Sequence, residues 1–443
     1  MAIIDFIANA VRVPQIVTRA IGGTWLSNET ITCTINGKDL VITVGTPVTT
    51  TDVAALIAAA INATDRLDAA TGSSNVGGQA IPEVSEIIAS SDAAVLTLTT
   101  RNSSDFGVPF TITFATDSAS GTIGSETVVQ AATGPNHWDN ADNWSGGNVP
   151  ADDDVVQFRD SNVDCSYGLP DDSREVLLIL YNSWTGELGL PKVRNFGSAK
   201  AYFEYRQRYL RLDDAGSGAT MTHVIGRGPG EGPRLVNIRQ SVLATTFEIN
   251  NNRQQSIQGE QYVHNLIAPA GATFRVARGS VQGGNQDAAT AAVTAVNISG
   301  IEQQISGIDV DISQNATASL TVNQVGGRLT LSQTSWSSNG ITMRGGEIVK
   351  RCPCPSMIWA DGTIFDEGTG TVVAGTMNNG AVLDVSRGSG ALTITNITRH
   401  PGSAIKDPAK RITHSNAVVT TGKIADVLRN DDYGYGRSYQ ISG

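Results

Sequence analysis

The sequence predicts a mainly β protein: a right-handed parallel β-helix, or β-solenoid, preceded by a small α/β domain and an N-terminal arm. Three observations carry this expectation. First, short apolar segments recur at nearly constant spacing between residues 291 and 416. Ile298, Val310 and Val322 stand twelve apart, then come Leu331 and Met343. Ile364, Val373, Leu383, Ile394 and Ile405 continue at steps of nine to eleven. Second, the segments alternate with period two. Ile308, Val310 and Ile312 face one way and Asp309 and Asp311 the other, as the pleat of a strand requires. Third, the chain has 47 glycines and only 16% charged residues, while Thr, Ser, Asn, Val and Ile fill the strand-like stretches. Strands this short cannot bury a face alone, and stacking them rung on rung is the economical solution. A pair of β-sandwiches fits the same spacing and is the alternative fold.

The chain of 443 residues has room for two or three domains, or for one long solenoid with an appendage. Its formal net charge of −11 disfavours nucleic acid as a partner, because phosphate binding leans on a basic surface. No stretch of roughly 18 consecutive apolar residues is present, so no membrane span is expected. The N-terminus lacks a basic leader, and Asp5 and Arg12 interrupt its apolar run, so no secretory signal is expected. Cys33 and Cys165 lie far apart, and Cys352-Pro353-Cys354 is too tight for an easy bridge, which points to folding in a reducing cytoplasm.

Residues 1–22 read as an arm. Ile3, Ile4, Phe6 and Ile7 are apolar, Pro14 breaks a helix, and Gly22-Gly23 marks the exit. Such an arm docks either on another chain or on its own, and these four side chains are candidate assembly contacts.

Residues 23–131 read as a small domain. Residues 30–35 and 40–44 form two strands around an Asn36-Gly37 hairpin turn. A helix capped near Thr50 or Thr51 follows, with Val53, Leu56, Ile57, Ala60 and Ile61 on one stripe. Residues 94–99 and 109–114 add two strands, and the helix is expected to cover one face of the sheet. Over most of residues 24–116 this order resembles a module of tailed-phage structural proteins.

Residues 136–422 read as the solenoid. The opening segment His137-Trp138-Asp139-Asn140-Ala141-Asp142-Asn143-Trp144 supplies two large apolar side chains to cap the open end of the stack. This segment resembles the entry motif of β-solenoid proteins from phages and bacterial surfaces. From about Trp138 to His414 the order resembles virion proteins of tailed bacteriophages. The resemblance implies architecture and setting, and brings no catalytic residues with it. Residues 423–443 form a Gly-Tyr tail.

Candidate chemistry is sparse. Gly226-Arg227-Gly228-Pro229-Gly230 suggests a phosphate loop, but Glu231 falls where the third glycine is needed, so a tight turn between rungs is the reading. Asp309 with Asp311, and Asp366 with Glu367, are carboxylate pairs of the kind glycan-cleaving enzymes use, set against a solvated outer face. His137, His223, His264, His400 and His414 lack metal-ligand spacing, and no metal or other cofactor is expected. Tyr202, Tyr205 and Tyr209 interleave with Arg206, either as a contact surface or as a half-buried strand with extended arginines.

The expectation is a non-enzymatic virion protein, a homotrimeric capsid decoration or cement protein that binds the major capsid protein. The alternative is a tail fibre or tail spike that recognises, and in some cases cleaves, host surface glycan.

Overall fold

The computed structural model describes residues 2–46, 48–63, 82–101, 107–170, 175–196, 200–204, 206–212, 221–240, 245–253, 262–267, 271–284, 293–299, 308–318, 320–336, 340–416, 418–421 and 440–441. Within them the chain is mainly β, and most strands join one long parallel array.

The pairing explains the sequence rhythm. Thr222–Arg227 pairs with Thr246–Asn250, and the intervening Leu235–Gln240 pairs with His264–Ile267. Successive strands therefore alternate between two parallel ladders, a pattern consistent with a β-solenoid. The long strand Ala272–Gly283 serves both ladders, one with each half.

Register partners form continuous apolar columns. One runs through Phe247, Phe274, Val296, Val322, Ile341 and Met357. The other ladder carries Val310, Leu329, Ile348, Ile364, Leu383 and Ile405. Burying each side chain contributes about 1.5–3 kcal/mol, so the columns are the main source of cohesion. The expected inward positions are buried at Ile298, Val310, Val322, Leu331, Met343, Ile364, Leu383 and Ile394. Val373 is a correction: it is exposed, and Val372 takes the inward place between Cys354 and Ile394.

Several polar side chains inside the stack bind backbone groups of neighbouring rungs. Asn182 donates to the carbonyls of Gly226, Gly228 and Asn250, which ties the glycine-rich turn to the rung above. Gly232 in that turn has φ +84°, and a Cβ there would lie 1.8 Å from Asn251 Oδ1. The Gly226–Gly232 stretch is thus a packed turn built around asparagines.

The N-terminal residues do not form a separate arm. Ile3–Asp5 pairs in parallel with Val155–Phe158, which in turn pairs with Leu177–Tyr181. Ile4 and Phe6 are buried in the stack's own core. Ile16–Gly23 is the middle of a sheet in the small module, flanked by Val95–Thr100, Gly121–Ile123 and Thr127–Gln130. The expected residues 1–22 are thus shared between the two bodies, because these backbone segments find strand partners in each.

The module has its own hydrophobic cluster. Thr30–Ile35 and Lys38–Thr43 form the expected hairpin, with positive φ at both Asn36 and Gly37. Ile112–Thr116 pairs on its other side. The helix Thr50–Ala63 starts one residue earlier than expected. Thr49 Oγ1 accepts from Asp52 N at 3.1 Å, and Asp52 Oδ2 accepts from Thr49 N at 3.0 Å, a reciprocal cap. Its buried stripe is Val53, Ala54, Ile57, Ala58, Ala60 and Ile61.

Residues 202–212 do not make one strand. Lys200–Phe203 pairs antiparallel with Val193–Phe196 away from the stack, and Leu210–Leu212 joins the stack beside Leu235–Gln240. Most of the Gly-Tyr tail lies outside the described residues; Gln440–Ile441 pairs with Val419–Thr420.

Candidate functional site

The base of the stack is where sequence-predicted residues converge. Phe6, Trp138, Trp144, Phe158 and Trp184 fill its end. Ring centroids are 5.2 Å apart for Phe6–Trp144, 4.7 Å for Trp138–Trp144 and 4.8 Å for Phe158–Trp184. Trp144 donates Nε1–H to the Trp138 carbonyl at 2.6 Å, and Trp184 donates to the Val163 carbonyl at 3.0 Å. These edge-on aromatics close the apolar interior that the first rung would otherwise expose.

Of the candidate contacts, Ile4 and Phe6 are committed to this core and have no outward face. Ile3 is 65% exposed, and Ile7 also points out. The Tyr202 side chain and Tyr205 lie outside the described residues. Tyr209 is half-buried, with the Arg208 guanidinium 5.3 Å from its ring centroid.

Arg206 joins the stack to the module. Its Nε donates to Glu204 Oε1 at 2.8 Å and Nη2 to Glu204 Oε2 at 3.1 Å, a bidentate fork. Nη2 also lies 3.2 Å from Glu86 Oε2, and Nη1 donates to the Pro109 carbonyl at 2.7 Å. Both Glu86 and Pro109 belong to the module. Burial works against the guanidinium's charge, but Glu86, Tyr167 and Glu204 outweigh it and push its pKa up. Glu83 stands beside this network, and burial raises its carboxyl. A second tie is the His137 ring, whose Nε2 contacts the Gly107 carbonyl while Nδ1 lies 3.2 Å from Asp139. Between the two bodies a cleft of about 620 Å³ is lined by Asn36, Pro109, Tyr167, Leu169, Leu190 and Arg206, among others.

Exposed large hydrophobic side chains are concentrated in the first part of the chain. Of the twelve large exposed hydrophobic side chains among the described residues, nine fall within the first 131 positions: Ile3, Ile7, Val11, Leu26, Val41, Ile88, Val95, Val128 and Val129. Val11 is 78% and Val129 61% exposed.

The carboxylate pairs separate. Glu367 meets Arg351 at 3.0 Å, while Asp366 turns into the stack and contacts Lys350. Adjacent residues of one strand face opposite ways, so these two carboxylates do not form a joint site. Asp309 and Asp311 do share a face, and they are half-buried rather than fully solvated. Tyr262 donates to Asp311 Oδ2 at 3.3 Å, and Arg328 is the register partner of Asp309. Burial raises both carboxyls, against the pull of Arg328 on Asp309 and of Tyr262 on Asp311.

All four cysteines are free and buried, and no metal-binding group of His, Cys, Asp and Glu occurs among the described residues. His223 and His264 are neutral fixtures of the interior. His264 Nε2 accepts from Asn251 and its Nδ1 donates to the Ser280 carbonyl; burial holds its pKa at about 4.

No protein-family model, curated protein or solved structure matches the chain.

Proposed function

We propose that the protein is a non-enzymatic structural component of a tailed-phage virion. In this reading it is a capsid decoration protein whose base binds the head shell through the major capsid protein. The body, a right-handed parallel β-helix, projects outward. It is made in the host cytoplasm and associates as a homotrimer. The observation that carries the reading is that nine of the twelve large exposed hydrophobic side chains among the described residues belong to the module and the N-terminal segment. The Arg206 network supports a firm connection between that end and the projecting stack.

The test is co-sedimentation of the purified protein with head shells and, separately, with tails lacking it. The proposal expects pelleting with head shells; pelleting with tails alone contradicts it.

A second reading has its own observation. Asp309 and Asp311 lie two residues apart on one strand face, about 7 Å by strand geometry. That falls within the roughly 6.5–9.5 Å that inverting glycosidases use. Half-buried carboxyls of raised pKa beside Tyr262 and Arg328 suit a tail spike that cleaves host glycan. Release of reducing ends from host polysaccharide, lost in an Asp309→Asn/Asp311→Asn variant, would favour this reading over the first.

A further inference from the structure

Lys350 and Asp366 form a fully buried pair inside the stack. Lys350 ends the strand Glu347–Lys350, Asp366 ends Gly362–Asp366, and the two are register partners in adjacent parallel strands. Each lies two residues beyond a core aliphatic, Ile348 and Ile364, so both side chains enter the same apolar interior. Neither has any exposed side-chain surface, and Lys350 Nζ lies 2.8 Å from Asp366 Oδ2.

The surrounding contacts distinguish the two carboxyl oxygens. Oδ1 accepts from Gly368 N at 3.1 Å. Oδ2 touches Nζ without the alignment of a hydrogen bond and has no other donor. Nζ is steered by one further bond, to the Cys352 carbonyl at 2.7 Å. Burial pushes the nearby Cys354 thiol up to about 12, which keeps that group neutral.

We propose that Lys350 and Asp366 condense to an isopeptide bond. One proton first passes from Nζ to Oδ2, the oxygen it touches, which leaves a neutral amine facing a carboxylic acid. Nζ then attacks Cγ, and the negative charge that develops on Oδ1 meets the Gly368 N–H, a donor already in place. The Cγ–Oδ2 bond then breaks. Two of the three protons of the lysine ammonium leave with Oδ2 as one water, and the third remains on the amide nitrogen. Charge and atoms balance with no oxidant or outside acid. Two features favour the step. The register of the strands holds Nζ 2.8 Å from an oxygen of the carboxyl group it attacks, which lowers the entropic cost of encounter. A buried ion pair is also costly to keep out of water, and a neutral amide costs less. The product would lock neighbouring rungs together across residues 350–366.

The test is mass spectrometry of the full-length protein after proteolysis. The expected result is a branched peptide joining the segments that carry Lys350 and Asp366, with intact mass one water below the sequence value. Lys350→Met should abolish both signs. Should that variant fail to fold with Asp366 left unpaired, Lys350→Met/Asp366→Leu removes both charges at similar volume and should give the full sequence mass. Wild-type protein that yields only linear peptides for both segments, after prolonged incubation, overturns the proposal. So does a water deficit that persists in the lysine variant.

Discussion

Arg206 and Glu86 are 120 positions apart in sequence, and their side chains meet at the seam between stack and module. The contact is almost wholly buried, with 9% of the arginine side chain and 2% of the glutamate side chain exposed. Together with the His137 contact to the Gly107 carbonyl, it ties the module to the stack.

Arg206→Ala should therefore destabilise the protein by about 3–5 kcal/mol, since removing one partner of a buried pair strands the other. Here two carboxylates, Glu86 and Glu204, would lose the guanidinium, while Glu86 keeps the Asn36 amide at 3.3 Å. Arg206→Lys should recover only part of the loss, because an ammonium cannot reproduce the bidentate fork. Urea denaturation and protease cleavage at the seam measure this; a change below about 0.5 kcal/mol would assign the junction to other contacts.

At the N-terminus two neighbours should behave oppositely. Phe6→Ala empties a place among Trp144, Phe158 and the first rung, and should cost about 3–5 kcal/mol. Ile3→Lys, on an exposed side chain, should change stability by less than about 0.5 kcal/mol. Removing residues 1–22 altogether should unfold the base of the stack and the module's central sheet, as these residues supply strands to both. Thermal melts of the three variants decide the matter.

Leu383→Asp should abolish folding of the C-terminal rungs. Leu383 stands between Ile364 and Ile405 in one column, so about 2 kcal/mol of burial is lost and a desolvated carboxylate is added. Asp384→Ala should cost about 1–2 kcal/mol, because Asp384 is itself buried and accepts from Ser386 N and Oγ. Protease protection of residues 372–405 separates the two variants.

Acid should weaken the stack before it titrates ordinary carboxylates. Burial holds His223 and His264 at about 4, below the ordinary 6.5. The unfolded chain therefore binds more protons between these values, and stability falls as pH drops from about 6.5 to about 4. The raised carboxyls of Asp309 and Asp311 in the stack, and of Glu83 in the module, work in the opposite direction at the acid end. Urea midpoints at neutral and mildly acid pH should decline together with His protonation; a flat profile would mean that the two rings are more hydrated than their packing indicates.

Much of the parallel stack was legible because its columns impose period-two alternation on every rung, and Ile298, Val310, Val322 and Leu383 carry that imprint. Tandem valines are where alternation fails. Val372-Val373 offers two equivalent choices, and the pairing with Cys354 and Ile394 makes the decision. Asp384 alternates correctly with Leu383, yet Ser386 and Lys406 cover it, a local arrangement that periodicity does not encode. The apolar N-terminus showed that it must dock, but its partner strand, Val155–Phe158, lies some 150 residues away with no complementary pattern. Arg206 stood out only among the aromatics near it. Its partners Glu86 and Pro109 are brought to it by the tertiary fold alone.

The most direct test of the attachment reading compares two surfaces on the same protein. Val128→Lys/Val129→Lys charges the exposed edge of the module, and Ile358→Lys/Val373→Lys charges exposed positions far along the stack. Both variants should keep the wild-type melting profile, since the four side chains are exposed. Co-sedimentation with head shells lacking the protein should be lost in the first variant and retained in the second. Retained binding in the module variant, with loss in the stack variant, would contradict the account.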